Sequence, residues 1–497
     1  MDSSAARKRD SHSKKAFRLG KLGSDETPFF TENERPRAVR RKKADLRTRV
    51  NQNIGIEFTA HGLTSYAGLE LLIRYLRRTG FNGQLRRHLS AVVSGGDFGT
   101  VGLCRVILGL LVVGGRRLRH LGFLKGDPLL QRFCGLQALP TDRSVSRWLK
   151  RFTAAAEEAL KRLNAEVVAR LVGVLKARTL TIDVDGTVLC TGKKVGGACR
   201  GYNPHHRKVP SYYPITAYLA DSGHFLRLHN RHGNVNDGAS SIPFLQAVFE
   251  QIDETMGQSY RLRFRMDGDF FKEDVFKTLS AHDAQYAIKV PFWRCLDLQG
   301  QIRQRRCWQR VEDGVDGFFS SVTVNKWKRT FNVVIFRKRV MHATRKNYQL
   351  DLFDPDNGTW EYCAVATNLP FDTRTLWRFM GGRGMHEKAI GELKTGLAFD
   401  AIPTDDYQAN SAWQQLVILA HNLLTNFQIE TGLTPRNRTS RNTSRWALKS
   451  VRTLRFELFN RAGQLVRPQG KAALRLQCNE QAEKQFREIA AALRKAA

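Results

Sequence analysis

From Leu180 to Asp185 the chain alternates strictly, with Leu180, Ile182 and Val184 on one side and Thr181, Asp183 and Asp185 on the other. A period of two belongs to a strand with one apolar face, so both aspartates share the opposite face. The same alternation returns at Tyr260 to Asp267, where Leu262, Phe264 and Met266 interleave with Arg261, Arg263 and Arg265 and the run again ends in an acid. Strand-like runs at Tyr212 to Leu219, Phe225 to His229 and Gln285 to Val290 are interspersed with helical patterns near residues 239–256 and 272–281. Such an order builds an α/β core. Open α/β sheets place their sites at strand ends, where Asp185 and Asp267 both stand.

Around this core the composition changes in blocks. Residues 1–50 are polar and basic, ending in Arg40-Arg41-Lys42-Lys43, with too few large apolar side chains to close a core; they read as a flexible arm that touches phosphates. Residues 51–175 read as a helical DNA-binding domain, with Leu69, Leu72, Ile73 and Leu76 at helical spacing. Within it, the segment opened by Pro140-Thr141-Asp142 carries a stripe of Val145, Trp148, Leu149 and Phe152, with Arg143, Arg147, Lys150 and Arg151 facing out. That segment is either a recognition helix or a plain surface helix. Residues 176–295 read as the first part of the α/β core and 296–360 as a β-rich insertion. The core resumes over 361–445, and 446–497 read as a β-hairpin and helix.

The charge narrows the partners. Eighty-one Lys+Arg against forty-six Asp+Glu leave a formal charge of +35 and a pI near 10.3, the electrostatic footprint of a nucleic-acid binder. With 42% hydrophobic residues over 497 positions, the chain has material for several cores rather than a basic tail on a small module. The most apolar run, Val106 to Val113, falls far short of the roughly 20 residues of a membrane span. Arg7-Lys8-Arg9 is followed by no apolar segment, so the expected location is cytoplasmic and nucleoid-associated, with no membrane partner. The eight cysteines form no C-x-x-C pair, which argues against zinc fingers and a disulfide framework.

A third acid follows from helical geometry. At about 100° per residue, Glu387 lies roughly 40° and Lys394 roughly 20° from Arg383 around a helix, whereas Glu392 lies about 180° away. Arg383, Glu387 and Lys394 therefore share a face, with Ile390 and Leu397 near it, and that face is expected to pack toward the sheet. Three carboxylates in so basic a chain suit phosphoryl transfer on DNA with two Mg²⁺ (or Mn²⁺) ions, one activating the attacking oxygen and one stabilising the leaving oxygen. Arg383 would hold phosphate by a bidentate fork and Lys394 as a point charge.

The order Asp185, Asp267, Glu387 resembles the DDE transposases of bacterial insertion sequences, in the branch with a β-rich insertion before the last acid. Their signature of Tyr, two residues, Arg, three residues, Glu, six residues, Lys is matched by Arg383, Glu387 and Lys394, with Met380 in the Tyr position. Further matches are Arg200 to Arg207 with Ser211-Tyr212-Tyr213-Pro214, the turn Gly233 to Asp237, and Asn410 and Asn422; together they cover about residues 135–480. The resemblance implies an RNase H-like catalytic core, a mixed sheet flanked by helices. It further implies metal-dependent cleavage at terminal inverted repeats, joining of the 3′-hydroxyl to target DNA, and a homodimer in the synaptic complex.

Within this resemblance Asp185 is the first acid because Gly186-Thr187 follow it, with Asp183 its rival, and Asp269 is second choice to Asp267. Arg207 and Lys208 read as DNA contacts; His205 and His206 either touch DNA or are solvated. Trp293 and Trp308 either stack on a flipped base or belong to the core. Two other functions share these features: a metal-dependent endonuclease without strand transfer, and a non-catalytic DNA-binding protein derived from a transposase.

Overall fold

The computed structural model describes residues 42, 53–59, 61–175, 177–192, 194–201, 208–235, 240–257, 260–339, 354–355, 360–437 and 444–495. The chain divides into two compact units, Met1–Gly55 and Ile56–Ala497, and every element below belongs to the second. The basic arm, apart from Lys42, and Arg207, His205 and His206 lie outside the described residues.

After the short strand β1 (Leu63–Thr64), six helices follow: α1 (Leu69–Arg78), α2 (Phe81–Leu89), α3 (Thr100–Val113), α4 (Pro128–Cys134), α5 (Asp142–Leu149) and α6 (Ala154–Val172). The stripe Leu69, Leu72, Ile73 and Leu76 of α1 is wholly buried. The apolar run expected to be a buried helix is α3, which ends at Gly114 with a left-handed φ of 106°. Oxygen caps start the next three helices: Asp127 accepts from Leu129 and Leu130, Thr141 from Ser144 and Thr153 from Ala156.

The strands β2 (Thr179–Gly186), β3 (Leu189–Cys190), β4 (Ser211–Tyr212), β5 (Ile215–Leu219) and β6 (His224–His229) precede α7 (Ile242–Met256). Next come β7 (Arg261–Met266), α8 (Glu273–Ala281), β8 (Gln285–Val290), α9 (Leu298–Gln304), β9 (Gln309–Glu312), β10 (Val315–Val324) and β11 (Arg329–Arg339). The chain closes with β12 (Asp354–Pro355), β13 (Trp360–Thr367), α10 (Thr373–Gly381), α11 (Gly384–Leu397), α12 (Tyr407–Glu430), α13 (Val451–Leu454), β14 (Gly463–Val466), β15 (Ala473–Leu476) and α14 (Glu480–Lys495). The main sheet runs β6-β5-β2-β7-β8-β13-β11-β10-β9, with β12 on β13; β2, β7 and β8 are mutually parallel and the other pairings on this path antiparallel. The fold is a mixed α/β one with a large mixed sheet.

Elements on either side of two expected boundaries pack on one sheet. The stretch anticipated as a β-rich insertion supplies β9 to β11, which continue the central sheet through β13. The helical stretch is likewise joined to the sheet, because α6 contributes Val168 and Val172 to the same core as Ile182, Val184, Phe264 and Ile288. The buried helix α12 cements this join with amides: Asn422 Nδ2 donates to Asn164 Oδ1 (2.7 Å) and to the Phe225 carbonyl (2.8 Å), while its Oδ1 accepts from the Phe225 amide (3.0 Å). Asn410 Oδ1 accepts from the Thr404 amide, so both asparagines singled out in the sequence act as internal clamps. Among the described residues no helix is long and apolar enough to cross a membrane.

Candidate active site

The parallel pair β2 and β7 aligns Asp183 with Arg265, which brings the C-terminal ends of both strands side by side. Asp185 stands on the last turn of β2 and Asp267 just past β7, where its Oδ1 accepts from the Asp269 amide at 3.1 Å. Their side chains are about one-sixth and one-quarter exposed, at 15% and 23%. Asp183, two residues before Asp185 on the same face, is sealed: Arg265 Nε and Nη2 donate to its two oxygens at 2.5 and 2.8 Å, with neither side chain reaching solvent. Burial pushes the Asp183 carboxyl up, and the forked guanidinium opposes this. Between the two rival first acids, Asp185 is the accessible one.

Arg383 joins the two strand ends. It immediately precedes α11 and is 4% exposed, with Nη2 2.7 Å from Asp185 Oδ2 and 3.5 Å from Asp267 Oδ2. Burial works against its charge, but Asp185, Asp267, Glu387 and Asp183 outweigh burial and lift its pKa above the ordinary arginine value. Its Nε and Nη1 have no hydrogen-bond partner among the described residues. The guanidinium expected to fork a phosphate is thus turned onto the acids, with two inward nitrogens still lacking an acceptor.

Glu387, one turn into α11, has an exposed side chain, so the helical face it shares with Arg383 is only partly covered by the sheet. Its charge nevertheless acts on Arg383, Asp183 and Lys289. Lys394, further along, donates from Nζ to Thr187 Oγ1 (2.7 Å) and the Val188 carbonyl (3.1 Å), directly after Asp185. Glu392 turns away and accepts from the Val451 amide at the start of α13. His386, fully buried, pairs its Nε2 with Thr216 Oγ1 at 2.9 Å and stacks on Tyr218 with centroids 5.1 Å apart, pinning the first turn of α11 to β5. Met380 is buried with Leu376 and Val365 in a satellite core.

Lys289 escaped sequence reasoning. It lies on β8, the neighbour of β7, and its carbonyl oxygen is 4.0 Å from where a Cβ on Gly268 would stand. Burial pushes its ammonium down to about 8; Arg383 adds to this, while Cys363, Asp267 and Glu387 oppose it. The available signal was a lone cation inside the otherwise uncharged run Gln285 to Val290.

The remaining sequence candidates scatter. Arg143 and Arg147 of α5 face a groove away from the acids, whereas Lys150 pairs with Asp405 (2.5 Å) and Arg151 donates to the Ser94 carbonyl (3.3 Å). Lys208 is an exposed loop residue with φ 67°. Trp293 packs edge-on to Phe271, and Trp308 to Phe318 with Arg337 over its ring, so both contribute to the core.

Among the described residues no three His, Cys, Asp or Glu side chains form a ready metal cluster. The donor chemistry still fits a hard divalent cation: Asp185 and Asp267 offer only carboxylate oxygens, and one cationic nitrogen already draws them together.

Two strand-end acids gathered by the arginine that precedes a glutamate-bearing helix form a carboxylate-rich cleft at one end of the sheet. Residues 46–497 match the family described as transposase DDE domain, group 1, and the chain belongs to that family. Its members are DNA-transposing enzymes that work with divalent metal ions. Among solved structures, the chain is similar to a piggyBac transposase in a synaptic complex with hairpin DNA, with a TM-score of 0.37, 10% identity, and 72% of this chain and 71% of that chain covered. No curated protein matches the chain.

Proposed function

We propose that this protein is a DNA transposase that binds the terminal inverted repeats of an insertion sequence, cleaves the phosphodiester at each end and joins the freed 3′-hydroxyl to target DNA. The observation that carries the reading is the contact of one Arg383 nitrogen with both Asp185 and Asp267 at adjacent strand ends, with Glu387 four residues on. An RNase H-like core is supported by the five strands β6-β5-β2-β7-β8, three antiparallel followed by two joined in parallel to β2.

Asp185, Asp267 and Glu387 would hold two Mg²⁺ or Mn²⁺ ions, which when bound supply the activation of the attacking oxygen and the stabilisation of the leaving oxygen. The chain's own groups do the rest. Arg383 holds the two aspartates together in the absence of other cations, and its two unpartnered nitrogens suit a phosphate oxygen entering beside the acids. Lys394 fixes Thr187 and Val188, and so the exit of β2. Arg265 keeps Asp183 from competing. Engagement of two DNA ends at once makes a homodimer the expected synaptic assembly, acting on DNA inside the cell.

The test uses the DNA flanking the gene as the source of element ends. A labelled end, Mg²⁺ and a target plasmid should yield nicked ends and joined products. Nicking without joining would establish the endonuclease instead, and binding without either would establish the non-catalytic protein.

A further inference from the structure

A groove of about 890 Å³ is lined by Arg116, Arg117, Arg119, Arg143, Arg147, Asp142 and the loop Asp400–Pro403. Five arginines meet there with two aspartates. Asp400 is already spent: Arg116 Nη2 donates to both its oxygens at 2.7 and 2.9 Å, while Arg116 Nη1 donates to the carbonyls of Lys394 and Thr395, each at 2.9 Å. The guanidinium groups of Arg117, Arg119, Arg143 and Arg147 are exposed and have no ion pair or hydrogen bond among the described residues. Like charges held this close repel one another, and folding gains nothing from the arrangement; a polyanion that neutralises several at once does.

We infer that this groove takes the sugar–phosphate backbone of duplex DNA at a fixed distance from the acids, an inference that rests on the DNA-transposing reading above. The distance comes from α11. Arg116 caps the carbonyls at its C-terminal end, and Arg383 and Glu387 lie at its N-terminal end. From Arg383 to the capped carbonyls of Lys394 and Thr395 the helix rises roughly 17 Å, which is about five base pairs of duplex at 3.4 Å each. Phosphates on the strand that runs from the scissile position would reach the groove about half a helical turn away. Guanidinium groups on a short two-turn helix and a neighbouring loop suit phosphate contact more than base reading, so the groove positions the duplex without choosing its sequence.

The experiment measures binding of a random-sequence 40-bp duplex by the full chain over a range of KCl, for wild type and the R117A/R143A double variant. Both residues are exposed and unpaired, so the variant should keep the wild-type melting temperature, which is checked in parallel. The log–log salt slope should fall by about two for the variant, with weaker binding at low salt. An unchanged slope and affinity in a normally folded variant would overturn the groove while leaving the transposase reading intact. A wild-type chain that binds no duplex at any salt would overturn both. On a cleavable end, hydroxyl-radical protection about five base pairs from the cut should vanish in the variant while protection at the cut itself stays; protection lost only elsewhere would also overturn the proposal.

Discussion

Arg265 forks onto Asp183 at 2.5 and 2.8 Å in a site where neither side chain touches water, two residues before the partly exposed Asp185. Arg265 also donates from Nη1 to the Phe379 carbonyl at 2.6 Å, tying β2 and β7 to α10. Removing one partner leaves a buried uncompensated charge, so Asp183→Ala or Arg265→Met should each cost about 3–5 kcal/mol in urea unfolding. The double variant should cost less than the sum of the two. Additive losses would show that the pair does not act as a unit.

Asp185→Asn, Asp267→Asn and Glu387→Gln should each abolish nicking of a labelled element end while duplex binding is kept, because an amide keeps the shape and loses the charge that attracts a divalent ion. Glu392→Gln should keep nicking near wild type, and its expected loss is a modest drop in thermal stability from the weakened contact at Val451. A dead Glu392→Gln beside an active Glu387→Gln would reverse the assignment of the third acid.

Lys289 stands beside the acids on β8. Lys289→Ala should slow nicking by about tenfold to a hundredfold with duplex affinity little changed, the scale of losing one preorganised cationic donor. Lys289→Arg should recover part of the rate. Equal losses in affinity and rate would make its role one of general DNA binding.

His224 is fully buried between Ser222 Oγ (2.9 Å) and Asn426 Oδ1 (2.8 Å), and burial pushes its pKa down to about 3. Below pH 6.5 the unfolded chain takes up a proton that the folded one refuses, so this stability is complete above that pH and is lost as pH falls toward 3. The slope is about 1.4 kcal/mol per pH unit per histidine. Burial also lowers His386 and His421. Chemical denaturation at pH 7.5 and 5.5 should therefore show a clear loss at the lower pH, smaller in His224→Gln.

Deleting residues 1–50 should flatten the salt dependence of duplex binding while leaving preference for the element end, since that segment carries many cations and little apolar surface. Loss of end preference with an unchanged slope would assign sequence reading to the arm.

Local order along the chain was legible wherever a side-chain period or a cap declares it. Alternation over Leu180 to Asp185 and over Arg261 to Met266 specified two strands ending in acids, and the angular separation of Glu387 and Glu392 specified which acid faces Arg383. What sequence could not carry was the long-range pairing. Whether Asp183 or Asp185 is open depends on Arg265, 82 residues away, and the turning of Arg383 onto two strand ends depends on the parallel register of β2 and β7. The helical and β-rich stretches expected from composition bury apolar surface against one sheet, and a hydrophobic face does not record in sequence which partner will cover it. The sequence by itself determined the residue types of the site and the faces they occupy; the tertiary structure decided which charges are paired and buried and which stay accessible to a phosphate.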